Sequence, residues 1–115
     1  MSSELDLERL TELQGLLGKG LPEIVKTLLS ELHRAFADID RALAHDELPA
    51  AALAAHAARN SALMIEARPV LGALAELEAS ARRQDAAATL AANQRLHEAW
   101  PSLQRRLELA AAGPG

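Results

Sequence analysis

The sequence predicts an all-α chain, and three observations carry that expectation. Half of its residues are hydrophobic but only 2% are aromatic, so the core has to be assembled from Leu, Ala, Ile and Val. Strong helix formers (Ala, Leu, Glu and Arg) recur throughout, whereas the β-branched and aromatic residues that strands prefer are scarce. Apolar positions repeat at i, i+3, i+4 rather than in alternation. A chain of 115 residues closes one hydrophobic core and has no room for a second, so 1–115 is expected to form a single domain. The simplest architecture is an antiparallel up-down-up-down four-helix bundle with a short N-terminal helix packed across one end.

The elements follow in order. Leu at 7, 10, 13 and 17, with Asp6 available as a cap and Gly18 and Gly20 as terminators, predicts the short helix over about 5–17. Pro22 then opens the clearest helix, about 21–45. There Leu21, Ile24, Val25, Leu28, Leu29, Leu32, Phe36, Ile39 and Leu43 form an unbroken stripe. After the break at His45 to Pro49, a third helix runs over about 49–67 and stops at Arg68-Pro69. A fourth spans about 69–83 with Val70, Leu71, Leu74 and Leu77 on one side, and Arg83-Gln84-Asp85 supplies the turn. The fifth covers about 85–109, with Leu90, Leu96, Trp100, Leu103 and Leu107 at helical spacing. Within it, Pro101 is expected to bend the helix or mark a joint. The tail, 110–115, is expected to fray.

Composition excludes several functions. A net charge of -4 with interspersed signs leaves no basic face for a nucleic acid. The absence of Cys removes disulfides, thiolate nucleophiles and cysteine-ligated metals. The first residues lack a basic start followed by an apolar run, and no later run is long enough to span a bilayer. A cytoplasmic protein with no membrane partner is therefore expected.

The third helix carries the chemistry. At about 100° per residue, Ala51, Ala54, Ala58, Ser61, Ala62 and Ile65 fall opposite His56, and their small side chains suit close contact with neighbouring helices. Ala52, Leu53, Arg59, Asn60, Leu63 and Ala67 share the face of His56, which is thereby predicted to meet solvent. A neutral imidazole is a good nucleophile toward phosphorus near physiological pH. Arg59 at i+3 is placed to compensate phosphoryl charge, and the Asn60 amide at i+4 to donate a further hydrogen bond. Leu53 and Leu63, flanking the histidine, suit the rim of a docking surface together with Ala52 and Ala67.

The stretch from Ala55 to Ala67 resembles the motif of histidine-containing phosphotransfer (HPt) proteins of two-component phosphorelays: His, two residues, Lys or Arg, Gly, Ser, then a small-apolar run. The register holds without a gap, and the likeness extends over nearly the whole chain. The resemblance implies that His56 is the phosphoacceptor, that Arg59 takes the place of the usual basic residue and that Ser61 falls on the usual Ser. It implies a phosphocarrier without catalytic activity of its own, passing a phosphoryl group from one receiver-domain aspartate to another. The implied partners are a response-regulator receiver domain and a hybrid histidine kinase, with magnesium on the receiver, no cofactor on this chain, and a monomeric state. Two departures stand out. The Gly after the basic residue is Asn60, and a later Gly is Glu66. Asn60 fills room that the family leaves for a partner's loop. The alternative function is therefore an HPt-like interaction module that binds a receiver or kinase without transferring phosphate. In some family members a polar side chain of the next helix approaches the histidine, and here Arg82 and Glu78 are the candidates.

The remaining histidines have plainer readings. His33 lies off its helix's apolar stripe, His45 suits a helix C-terminus, and His97 does not face its neighbour Glu98. A carboxylate-bridged metal site would need Glu three residues before a histidine. Those positions hold Ser30, Ala42, Leu53 and Gln94, so no metal site is expected. Gly15 to Gly20 lacks the spacing of a phosphate-binding loop, and Trp100 reads as a core anchor.

Overall fold

The computed structural model describes residues 20–65 and 67–112. The short helix expected at 5–17, Glu66 and the last residues of the tail lie outside them. Among the described residues four helices follow one another: α1 (Leu21–Ala44), α2 (Leu48–Met64), α3 (Arg68–Arg82) and α4 (Ala86–Ala112). The first three begin with Pro at N1 or N2, where the missing N–H would have had no partner inside the helix. Asp85 starts α4 instead, its Oδ1 accepting the Ala88 N–H at 3.1 Å.

Each helix packs on the next, and α4 closes the ring on α1. Cross-helix bonds give the direction. On α1 and α4, His33 pairs with Gln104 and Asp40 with His97, so the two run antiparallel. The turns are tight. His45 caps α1 and bonds the Arg41 carbonyl through Nδ1 at 2.8 Å, and Asp46 and Gln84 take the left-handed conformations (φ 56° and 61°) that reverse the chain.

The core draws unequally on its helices. Val25, Leu28, Leu32, Phe36 and Ile39 come from α1, Val70, Leu74 and Leu77 from α3, and Leu96, Leu103 and Leu107 from α4. From α2 come alanines: Ala51, Ala55, Ala58 and Ala62. A helix that buries alanines and a single serine lets its neighbours approach closely, which is what brings a side chain of α3 within reach of one on α2.

The structure corrects several expectations. The third helix ends at Met64 rather than near residue 67. The last one continues to Ala112, with Ala110 and Ala111 partly packed on the core, where fraying from 110 was expected. It also passes through Pro101 as one helix, so the proline marks no joint. Leu90, read as part of the apolar stripe, is 56% exposed, because the buried face of that turn belongs to Thr89 and Ala92.

Candidate functional site

His56 lies in the middle of α2 with its side chain 57% exposed, as its place on the helix predicts. Its Nδ1 is 3.0 Å from Oε2 of Glu78, which reaches across from α3. Against an ionised carboxylate the neutral ring carries its proton on Nδ1, which leaves the lone pair on Nε2.

Glu78 is itself 9% exposed and tightly partnered. Arg59 Nη1 donates to Oε1 at 2.8 Å, while Arg82 donates to Oε2 through Nε at 3.1 Å and Nη2 at 2.8 Å. Burial raises the carboxyl's pKa, but hydrogen bonds from Arg59, Arg82 and His56 outweigh it and lower it from 4.5 to about 2. The carboxylate therefore stays ionised at any pH at which imidazole is a nucleophile. Two guanidinium groups face one carboxylate here, so with His56 neutral the cluster carries one positive charge in excess. That surplus suits a phosphoryl group, which brings about 1.5 to 2 negative charges.

Two of the residues assigned to docking are not available for it. Ala52 is 2% exposed and Ala67 is fully buried. The flank of α2 that holds Ala52 and Arg59 is the one that α3 covers, as the bonds to Glu78 show, and a methyl group has no length to emerge from that seam. Ala67 caps α3 in the corner below it, its N–H bonded to the Ala62 carbonyl at 3.2 Å. Leu53 and Leu63 are exposed on either side of the histidine, at 68% and 53%. Asn60 turns the other way and lines a groove of about 340 Å³ between α1 and α2, floored by Ala35, Ala54 and Ala58. Ser61 is buried beside it and donates to Oε1 of Glu31 at 3.1 Å, tying α2 to α1.

Glu78 and Arg82 entered the sequence reading as polar support, without their geometry. The missed signal is their i, i+4 spacing, with Glu N-terminal to Arg, which is the favourable order for a helical ion pair. The bonds from Glu31 to Ser61 and from Asp40 to His97 left no such trace, because each joins residues distant in sequence.

No family model matches the chain, and no curated protein matches it. A solved structure does: the crystal structure of histidine-containing phosphotransfer protein B (HptB) from Pseudomonas aeruginosa PAO1 is similar at a TM-score of 0.91, over 100% of both chains, with 19% sequence identity. The fold is the HPt fold. This agrees with the all-α bundle read from the sequence, and on the HPt bundle the motif-like stretch of this chain occupies α2 with His56 outward. No helix among the described residues is long and apolar enough to cross a membrane.

Proposed function

We propose that the chain is an HPt phosphorelay intermediate. His56 Nε2 accepts a phosphoryl group from the aspartate of one receiver domain and yields it to that of another. The observation that carries this reading is the Nδ1 contact with Glu78 on a side chain 57% exposed, which in the neutral ring puts the lone pair on Nε2.

In the accepting step the Nε2 lone pair forms a bond to phosphorus while the aspartyl oxygen–phosphorus bond breaks, its electron pair leaving with the carboxylate. Positive charge develops on the ring that retains Nδ1–H, and the ionised Glu78 stabilises it. Arg59, already at the edge of the site, compensates the incoming phosphoryl oxygens. The chain needs no catalytic machinery beyond this, since magnesium and the acyl phosphate belong to the receiver. Receiver domains and a hybrid histidine kinase are the partners, meeting the chain around Leu53, Leu63 and Asn60, and a cytoplasmic monomer suits the role.

The test is direct. After mixing with a phosphorylated receiver, wild-type protein is expected to carry acid-labile, base-stable label, and His56→Gln none. Absence of label on the wild type, or undiminished label on the variant, overturns the relay. The first of those results together with retained receiver binding would assign the chain to the interaction-module alternative.

A further inference from the structure

Oε2 of Glu78 is oversubscribed. It takes three N–H donors, one from His56 Nδ1 and two from Arg82, while Oε1 takes the single bond from Arg59. A carboxylate oxygen offers about two lone-pair directions, so His56 and Arg82 compete for the same acceptor. Arg82 does not reach the histidine by any bond, and its side chain is 55% exposed at the last residue of α3. Its bonded route to the imidazole therefore runs through that oxygen.

We propose that Arg82 is a positioning residue that lengthens the life of the phosphoryl group on His56 by drawing Glu78 Oε2 away from the Nδ1 proton. The inference rests on the phosphocarrier reading. When the phosphoryl group leaves, attacked by water or by a receiver aspartate, the P–N bond breaks and its electron pair returns to Nε2. A ring that still holds Nδ1–H departs as neutral imidazole. A ring that has lost that proton would have to depart as an anion, a much poorer leaving group. The firmness with which Glu78 holds the proton thus governs how readily the group departs. Arg82 loosens that hold, while Arg59, on the other oxygen, leaves the His56 contact unshared.

Phosphoramidate tests this without a partner protein: it donates its phosphoryl group to an imidazole and leaves as ammonia. Label at His56 would be followed by mass spectrometry of its peptide in wild type, Arg82→Ala and Arg82→Lys, with circular dichroism to confirm that each bundle is folded. Arg82→Ala is expected to shorten the lifetime about fivefold, the rate equivalent of one exchanged hydrogen bond. Arg82→Lys, which keeps a single donor, should fall between. An unchanged or longer lifetime in folded Arg82→Ala overturns the proposal. Label from phosphoramidate with none from a phosphorylated receiver overturns the relay reading and leaves the lifetime comparison to decide the role of Arg82.

Discussion

Among the described residues two contacts join a histidine to a carboxylate, alike in length and unlike in setting. On the α2–α3 face His56 meets Glu78 at 3.0 Å, and on the α1–α4 face His97 meets Asp40 at 2.9 Å. The first uses Nδ1 and leaves Nε2 without that contact, while the second uses Nε2, the nitrogen farther from the backbone, and leaves Nδ1 without it. Their carboxylates differ too. Glu78 is 9% exposed between two arginines, whereas Asp40 is 46% exposed and takes its other bond from the Asn93 amide. The contact length does not tell the two histidines apart. The nitrogen left free and the burial of the carboxylate do, and on these the proposed role of His56 rests.

The comparison can be broken most sharply at the carboxylates. Glu78→Gln removes the charge that fixes the His56 tautomer, and the rate of phosphoryl acceptance is expected to fall about 10- to 100-fold, the worth of a hydrogen bond to a charged group. Asp40→Asn should leave that rate unchanged. Rapid-quench transfer assays on both variants check this, and equal losses would show that the two contacts act alike.

Stability should separate them by pH. The Glu78 carboxyl is held near 2 in the fold against an ordinary 4.5, so its ionised form contributes stability that is complete above about pH 4.5 and is lost as pH falls through 2. Urea unfolding at intervals across that window should show wild type losing about 2 kcal/mol that Glu78→Gln does not lose. Asp40→Asn, at an exposed pair, should track wild type within about 0.5 kcal/mol. The smallest effect is expected on the groove side of the histidine. Asn60→Gly, which restores the room found in the resembling motif, should speed transfer about two- to threefold, measured as the receiver's dephosphorylation rate, with the gain set against the helix-destabilising cost of glycine.

The two faces also differ in how far the sequence disclosed them. The stripe from Val25 to Ile39 marks α1 plainly because large apolar side chains stand out against charged ones. Helix α2 gives no such contrast. Eight of its 17 residues are alanine, which is compatible with burial and with exposure alike. The wheel could therefore place His56 outward but not foresee that α3 covers the flank of Ala52, and a helix with a neighbour on each side buries more than half its circumference. The same neutrality of alanine hid the extension of α4 to Ala112: its propensity is the highest of all, yet it writes no periodic signal. The ion-pair cluster was half legible, through the i, i+4 spacing of Glu78 and Arg82, while its link to His56 spans 22 residues and comes from the fold.

The buried pair of hydroxyls on α3 and α4 bears on how such a site endures. Thr89 Oγ1 lies 3.0 Å from Ser80 Oγ, both fully buried, while Ser80 also bonds back to the Glu76 carbonyl. This clip fixes the rotation of α3 two residues beyond Glu78. The core side chains Val70, Leu74 and Leu77 hold the same rotation, so a residue gained or lost in the corner before Arg68 would be absorbed in the corner itself. One gained or lost inside α3, between Glu78 and Ser80, would instead turn the clip by about 100° against the carboxylate, and the helix could satisfy the hydroxyls or the histidine but not both. The spacing of an uncharged buried serine from Glu78 is therefore as much a part of the site as the carboxylate.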